Sequence, residues 1–308
     1  MVGSPKKYFL MNTLPQKKIT IVGNCQAPVI AKLLRGCSLD GFEINSFLLH
    51  RDAIDHLDVL LKDEEVVVLS MPFSQIKGNP KFTSNDLLDR YSNCNIHMIS
   101  NAYFEGYHPY WGYFYNSNGK KIYPDWDDYI NYWIVFKYLK NSIDDLKSPF
   151  SLEESLSDIQ LQGVWSRSRA ELARREKASS SITNISSYLD DSAQHQQLFW
   201  TFNHPSRHIF NILVSQILAY FELNSNNVPH SWPGHDFLSE TKIPIHSNFS
   251  TDKKIDAAEP CFIFKKVAYS WSEVVSMHID FLSRQSSADI LYSLDHYLQS
   301  RPELNLAI

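Results

Sequence analysis

The fold is decided between Lys18 and Gly36, where the sequence reads KITIVGNCQAPVIAKLLRG. Its first residues, up to Val22, form a β-rich apolar run that stops at Gly23. The apolar residues after Pro28 recur at helical spacing, and proline is tolerated in the first turn of a helix because its missing N–H has no partner there. The pattern therefore predicts a strand, a tight turn formed by the three residues after Gly23, and a helix that stops at Gly36.

Further β-rich runs follow at residues 42–49, 64–70 and 95–100, with helical patterns near 52–62 and 85–91. The run at 64–70 is apolar without alternation, which suits a strand covered on both faces. Strands that alternate with helices indicate a parallel sheet. We therefore predict an α/β fold of Rossmann-like or SGNH-like type for this part of the chain.

The remainder of the chain is predicted to be mostly helical, and we expect one domain over residues 1–308, with a sheet part at 18–124 and a helical part at 125–308. At Ser151 a serine with Glu three residues later has the form of a capping box. The other predicted elements are helices at 127–139, 161–177, 209–221 and 269–282, a serine-rich boundary at 179–187, and an irregular connection at 224–256.

The composition excludes several classes of protein. The 308 residues hold 29 Lys plus Arg against 34 Asp plus Glu, a net charge of −5, which argues against broad nucleic-acid binding and against attraction to an anionic membrane. The four cysteines form no CxxC motif or short Cys/His box, so we expect neither a metal site nor a disulfide framework. Without a signal-like segment or a long apolar run, we expect a cytoplasmic protein with no membrane insertion.

Cys25 is the first candidate for chemistry because it lies in the predicted strand-to-helix turn. Unpaired backbone N–H groups and the helix dipole stabilise an anion there, and so favour the thiolate. The same N–H groups, with the side-chain amides of Asn24 or Gln26, are suited to binding an oxyanion. The alternative is that Cys25 is a small buried side chain in a tight turn.

His204 is the second candidate, since it precedes the predicted helix at 209–221. The positive end of a helix dipole lowers the pKa of a histidine, leaving it neutral and able to act as a general base. Asn203 is expected to orient its ring; the alternative is that both residues cap the helix. His108 lies in the loop after the predicted strand at 95–100, and either reaches the same pocket as Cys25 or packs among aromatic residues.

Three loops are expected to meet at one site, because ligands of parallel α/β folds bind beyond the carboxyl ends of the strands. They are residues 23–26, 70–75 and 101–109. The sequence lacks the glycine motifs of dinucleotide sites, P-loops and serine nucleophile elbows. His97 is predicted to be a core residue. The arginines between 167 and 175 are interleaved with glutamates, which is typical of a solvated face, with a phosphate site as the alternative.

Three segments resemble the WcbI family of capsular polysaccharide biosynthesis proteins: IVGNCQA at 21–27, NAYFEGYHP at 101–109 and LFWTFNHPS at 198–206. Together they extend over roughly residues 18–222. Ser100 departs from the pattern, which leads us to expect proline there. The resemblance implies one α/β unit with a helical remainder, and a coenzyme A-binding protein that acetylates a sugar in capsule or exopolysaccharide assembly.

The residues and the resemblance together give a set of candidate site residues, of which the resemblance carries over the GNCQ turn at 23–26 and the NHP motif at 203–205. Cys25, His204 and His108 are the catalytic candidates. The oxyanion or substrate is expected at Gly23, Asn24, Gln26, Asn101 and Asn203, and coenzyme A at Asn24, Cys25, Gln26 and Ser206. The partners implied are acetyl-coenzyme A as co-substrate and a sugar, nucleotide-sugar or glycan acceptor, with no metal.

Two other functions remain open on the sequence. One is an SGNH-like esterase or deacetylase with cysteine as nucleophile, which suits a nucleophile at a strand-to-helix turn and a histidine late in the chain. The other is a non-catalytic protein that binds coenzyme A or a glycan.

Overall fold

A computed structural model describes residues 17–37, 39, 41–62, 66–146, 157–192, 196–223, 228, 236–245 and 261–304. The chain divides into two compact units, each built from separate stretches of sequence. Unit 1 comprises the described residues up to Asn101, Ala178–Thr183 and those between 211 and 228. Unit 2 comprises Ala102–Lys177, Asn184–Phe210 and the described residues from 236 onward. That the chain forms a single domain remains a prediction.

Unit 1 is built on a four-stranded sheet with the order β2-β1-β3-β4, and every neighbouring pair is parallel. Residues on both faces of the central strand β1 are buried, including Ile19, Thr20 and Ile21, which accounts for its lack of polar alternation. The elements are β1 (Lys17–Gly23), α1 (Gln26–Gly36), β2 (Phe42–Leu48), α2 (Ile54–Leu60), β3 (Val66–Ser70), α3 (Ser84–Arg90) and β4 (Asn95–Met98). The predicted α/β fold is confirmed.

Later parts of the chain complete unit 1. The Ser100 backbone N–H donates to Thr183 Oγ1 at 2.7 Å, and the Ser100 hydroxyl donates to the Thr183 carbonyl at 3.0 Å. His97 packs edge-on against Tyr220 and Phe221, with ring centroids 5.2 Å apart in both pairs. His97 is partly exposed, so it packs at the edge of the core, whereas the sequence predicts a residue within it.

Unit 2 combines helices with four two-stranded antiparallel sheets, which pair β5 with β8, β6 with β7, β9 with β10 and β11 with β12. Helix α7 continues from it into unit 1. The elements are β5 (Trp111–Gly112), β6 (Phe114–Tyr115), β7 (Lys121–Ile122), β8 (Ile130–Asn131), α4 (Tyr132–Leu139), α5 (Asp158–Ala178), α6 (Ser186–Ser192), β9 (Phe199–Thr201), β10 (His204–Pro205), α7 (Arg207–Tyr220), β11 (Phe262–Phe264), β12 (Val267–Tyr269), α8 (Trp271–Ser283) and α9 (Ser287–Gln299). Single-turn 3₁₀ helices lie at Ile143–Asp145 and Pro302–Leu304.

The core of unit 2 is aromatic and ties α4 to α8 and α9. Tyr132 stacks on Tyr297 with ring centroids 3.8 Å apart, and its hydroxyl is 2.6 Å from Ser293 Oγ. His278 is fully buried, and its Nε2 accepts a hydrogen bond from the Asn131 backbone N–H at 2.9 Å. Burial lowers the pKa of His278 to about 4, so this histidine is a neutral packing residue.

The structure differs from the sequence prediction at several elements. The helix predicted at 127–139 begins only at Tyr132, because Asn131 pairs in β8 and its side-chain oxygen caps the helix by accepting the N–H groups of Trp133 and Ile134. The hairpin β11–β12 and helix α9 were not predicted. The predicted capping box at Ser151, and most of the predicted connection at 224–256, lie outside the described residues.

Candidate functional site

The turn after β1 requires a glycine because another side chain occupies the space beside it. A Cβ atom on Gly23 would lie 2.6 Å from Met71 Sδ and 3.3 Å from the Ala27 Cβ. Met71 is fully buried directly after β3, and its N–H donates to the Val22 carbonyl at 2.9 Å. The loops after β1 and β3 are therefore packed against each other.

Replacing Gly23 with alanine is expected to destabilise the protein by about 1–3 kcal/mol, because the added methyl group overpacks against Met71. Urea unfolding measures this change in the free energy of unfolding. In a Met71→Ala background the same substitution is expected to cost much less, since the sulfur is gone. Equal costs in the two backgrounds would contradict the packing explanation.

Asn24 organises the start of α1 with both its backbone and its side chain. Its Oδ1 accepts the N–H of Gln26 at 3.0 Å, and its carbonyl accepts the N–H of Ala27 at 3.0 Å. The next residue is Pro28, which has no N–H. The backbone N–H groups of Gln26 and Ala27 are therefore already hydrogen-bonded within the turn. These two groups are not the oxyanion donors that the sequence predicts there.

Side-chain amides supply further donors at this turn. Asn101 Oδ1 accepts from Asn24 Nδ2 at 3.1 Å and from Gln26 Nε2 at 3.4 Å. Its oxygen is thus directed at the turn, and its Nδ2 has no acceptor in the described part of the chain. Asn24 and Asn101 are partly exposed, whereas Gln26 is fully buried. Two predicted loops, at 23–26 and at Asn101, therefore meet in unit 1.

Cys25 is the N-cap residue of α1 and is partly exposed. All four cysteines lie within the described residues, and no disulfide joins any of them. Burial raises the pKa values of the Cys37 and Cys94 thiols, which disfavours their thiolates, while Cys261 lies on the surface. Among the four thiols, Cys25 alone combines partial exposure with the amino end of a helix and with flanking side-chain amides.

The turn also lies at the topological switch point of the sheet. The chain leaves β1 toward β2 on one side, then crosses back to β3 and β4 on the other. Open parallel sheets bind ligands in the crevice that such a reversal creates at the carboxyl ends of the strands. Here the reversal falls between β1 and β3, and Asn24 and Cys25 follow Gly23 at the carboxyl end of β1.

His204 lies in unit 2, in the short strand β10 rather than at the start of α7. Its Nε2 is 3.3 Å from the Tyr129 hydroxyl, which donates to Asn203 Oδ1 at 2.6 Å. Thr201 Oγ1 donates to the same Asn203 oxygen at 2.9 Å, and Asn203 Nδ2 donates to the Tyr113 hydroxyl at 2.9 Å. Asn203 and His204 are thus joined through Tyr129.

Burial lowers the pKa of His204 to about 4, while the carboxylates of Asp128 and Glu240 act in the opposite direction. The sequence predicts a lowered pKa for His204, with the dipole of the following helix as its cause. The direction is confirmed and the cause is corrected, because α7 begins three residues later. His204 is therefore a neutral imidazole near pH 7, with Nε2 next to a phenol.

His108 is 1% exposed, also in unit 2, and burial lowers its pKa to about 3 against the opposing effect of the Phe199 and Pro244 backbones. Because a general base must reach its substrate, this burial favours the packing interpretation. Ser206 is also buried, and its N–H donates to the Leu198 carbonyl at 2.8 Å.

The arginines of α5 divide between two environments. Arg167 bridges Glu105 and Glu303 at 2.9 and 2.5 Å, whereas Arg174 pairs with Glu171 at an exposed position at 2.7 Å. The predicted solvated face applies to Arg174 only.

The described residues contain no group of three or more His, Cys, Asp or Glu side chains placed to hold a metal ion. Among the helices in the described part of the chain, none has the length and apolarity needed to cross a membrane. His230, His235 and His246 lie outside the described residues.

Sequence reasoning missed the tyrosines and the threonine that surround Asn203 and His204. Thr201 had a local signal, because it lies two residues before Asn203. Tyr113 and Tyr129 had none, since they come from distant parts of the sequence and are indistinguishable there from other aromatic residues.

Comparison with known proteins gives two matches. The profile of a family described as "Polysaccharide biosynthesis enzyme WcbI" matches residues 18–226, which is more than half of the chain. The fold is similar to a solved structure of WcbI, described as a novel polysaccharide biosynthesis enzyme, in a native form without a disulfide bond between coenzyme A and a cysteine. The TM-score is 0.78 and the identity 19%, and the match covers 94% of this chain and 97% of that chain. Comparison with curated proteins gives no match.

Proposed function

Because the chain belongs to the WcbI family of polysaccharide biosynthesis enzymes, we propose that it transfers an acetyl group from acetyl-coenzyme A to a hydroxyl group of a sugar. The single observation that carries this proposal is the turn at the switch point, where Cys25 lies between the amide side chains of Asn24 and Gln26. The solved WcbI structure is described in terms of coenzyme A and a cysteine, and we assign the corresponding role in this chain to Cys25.

The amide side chains are suited to the charge that acyl transfer creates. Attack on a thioester carbonyl places a negative charge on its oxygen, and preorganised N–H donors stabilise that charge. Asn101 supplies its NH₂ group for this purpose, because its oxygen is held by Asn24 and Gln26. Unlike a mobile side chain, this amide needs no reorientation when the charge develops.

His204 is proposed as the general base that takes the proton of the sugar hydroxyl. Burial keeps its imidazole neutral near pH 7, which is the form that accepts a proton. The Tyr129 hydroxyl lies 3.3 Å from His204 Nε2 and donates to Asn203 Oδ1 at 2.6 Å, and these contacts position the imidazole. We do not assign this role to His108, because it is 1% exposed and both of its ring nitrogens are buried, whereas His204 is partly exposed.

We propose a covalent route. Cys25 Sγ attacks the acetyl carbon, the bond to the coenzyme A sulfur breaks, and the thiolate of coenzyme A leaves. The sugar oxygen then attacks acetyl-Cys25 and loses its proton to a general base, and the Cys25 thiolate is released. In the direct alternative, the sugar oxygen attacks acetyl-coenzyme A itself while Cys25 only lines the thioester.

Intact-mass spectrometry tests the covalent route. Exposure to acetyl-coenzyme A without an acceptor is expected to add one acetyl group, located on Cys25, because the second step cannot proceed. The adduct is expected to be absent in Cys25→Ala and retained in Cys261→Ala, a matched control that removes a surface thiol. If no adduct forms even in His204→Gln, and Cys25→Ala transfers acetyl groups at the normal rate, the nucleophile role is wrong.

The same assay separates transfer from the two rival functions. Steady release of free acetate with no sugar present would identify a hydrolase. Tight binding of coenzyme A without turnover, unaffected by His204→Gln, would identify a binding protein.

A further inference from the structure

The hairpin β6–β7 presents an aromatic and charged face. Tyr115 pairs with Lys121 and Phe114 with Ile122, so the alternation of an antiparallel pair places side chains of different character on opposite faces. Phe114 is fully buried and Ile122 packs against the core of unit 2. The opposite face carries Tyr115 and Lys121, with Tyr113 and Tyr123 as the flanking residues.

Lys121 connects the two flanking tyrosines. Its Nζ lies 3.6 Å from the Tyr113 ring centroid and 4.6 Å from that of Tyr123. It also forms an ion pair with Asp128 at 2.9 Å. The Tyr123 side chain is 62% exposed and the Asp128 side chain 48% exposed. The exposed ring of Tyr123 therefore lies next to the Lys121 ammonium group, which in turn is paired with the Asp128 carboxylate.

The face formed by Tyr113, Lys121 and Tyr123 is connected to His204, the proposed general base, through Tyr113 and Tyr129. The Tyr113 hydroxyl accepts a hydrogen bond from Asn203 at 2.9 Å, and the Tyr113 ring stacks on Tyr129 with centroids 5.9 Å apart. Tyr129 contacts His204 directly, and the carboxylate of Asp128 acts electrostatically on the same imidazole. All of these residues belong to unit 2.

We propose that Tyr123, Lys121 and Asp128 form the subsite for the acceptor sugar, with the ring of Tyr123 as its platform. This inference rests on the proposed acetyl transfer and names where the acceptor binds. A sugar ring has a C–H face that packs on an aromatic ring and a rim of hydroxyls that needs both donors and acceptors. The exposed ring of Tyr123 provides the aromatic surface for the C–H face of the sugar. Lys121 provides a hydrogen-bond donor and Asp128 an acceptor for its hydroxyls.

The composition of the face favours a sugar over an apolar partner. A protein-docking surface has an apolar centre from which charged residues are depleted, whereas here a lysine lies at the centre between two tyrosines. The main rival occupant is the nucleotide part of coenzyme A, since adenine also stacks on aromatic rings and phosphates attract lysine. The experiment below is designed to separate these two.

Saturation-transfer NMR with methyl glycosides of glucose, galactose, mannose and N-acetylglucosamine tests for the sugar. Transfer to ring C–H protons of at least one glycoside is expected in the wild type and in Tyr123→Phe, which keeps the aromatic platform. In Tyr123→Ala we expect about tenfold weaker binding of that glycoside. Ile159→Ala removes another highly exposed side chain of unit 2 and is expected to change nothing.

Calorimetric titration with coenzyme A tests the rival occupant. The affinity for coenzyme A is expected to be the same in the wild type and in Tyr123→Ala. Unchanged glycoside transfer in Tyr123→Ala, or no transfer to any glycoside in the wild type, overturns the subsite. Weakened coenzyme A binding in Tyr123→Ala overturns it as well and assigns the ring to the nucleotide. A wild type that binds the glycoside through Tyr123 but forms no acetyl product refutes the proposed function and leaves the sugar subsite in place.

Discussion

Replacing His204 with glutamine is expected to slow acetyl transfer by about two to four orders of magnitude, because a general base contributes that much to a proton-transfer step. Glutamine keeps a hydrogen-bonding group near Tyr129 but accepts no proton at neutral pH. The measurement is incorporation of labelled acetyl groups from acetyl-coenzyme A into polysaccharide. His208→Gln is the matched control, since that histidine is exposed on α7 and is expected to retain full activity.

The pH profile gives a second test of the same residue. The pKa of His204 is lowered from 6.5 to about 4 by burial, so the neutral base persists well below neutral pH. We expect kcat/KM to fall on the acid side with an apparent pKa near 4, not near 6.5. An acid limb near 6.5, or a His204→Gln variant with normal turnover, would exclude His204 as the base.

Stability is expected to fall over the same range of pH. The unfolded chain binds a proton at His204 near pH 6.5, whereas the folded protein does so only near 4, so acid favours unfolding between these values. His278 has the same direction of shift and adds to the effect. Circular dichroism at each pH separates loss of fold from protonation of the base, because only the former changes the helical signal.

Replacing Glu105 with alanine is expected to destabilise the protein by about 3–5 kcal/mol, because the substitution leaves a buried cation without its partner. The Glu105 carboxylate accepts hydrogen bonds from Arg301, from Arg167 at 2.9 Å and from the Tyr103 hydroxyl at 3.0 Å. Glu105 is 7% and Arg301 5% exposed. Urea unfolding at neutral pH is the measurement.

An exposed ion pair supplies the control for Glu105. Glu171 pairs with Arg174 on the surface of the same unit, and Glu171→Ala is expected to cost less than about 1 kcal/mol. The double substitution Glu105→Leu with Arg301→Met removes both buried charges and is expected to recover most of the loss. If Glu105→Ala and Glu171→Ala lower the free energy of unfolding by similar amounts, burial does not determine how much these ion pairs contribute to stability.

The sheet was predictable because its signals are local. The β-branched run before Gly23 and the apolar run at Val66–Ser70 each identify a strand without knowledge of the rest of the chain. Helix α9 was missed because its apolar positions, such as Ile290 and Leu294, are separated by polar residues and form only one narrow buried face. The late start of α4 was missed because β8 depends on pairing with a distant strand.

The candidate site was predictable only as far as its residues share a turn. Asn24, Cys25 and Gln26 could be grouped from the sequence, and Asn101 could be added because parallel strands end at one edge. The burial that sets the pKa of His204 could not be predicted, because burial depends on residues from several distant segments. The placement of Tyr129 beside His204 was hidden for the same reason.

The hydrogen bonds between Ser100 and Thr183, and the packing of His97 on Tyr220, have a consequence for synthesis on the ribosome. The strands β1 to β4 are translated before these partners, since Thr183 follows Ser100 by 83 residues and Tyr220 comes later still. During that interval the exposed strands are open to aggregation and to capture by chaperones. A ribosome that stalls before it reaches Tyr220 therefore holds a nascent chain in which His97, in β4, lacks this packing partner.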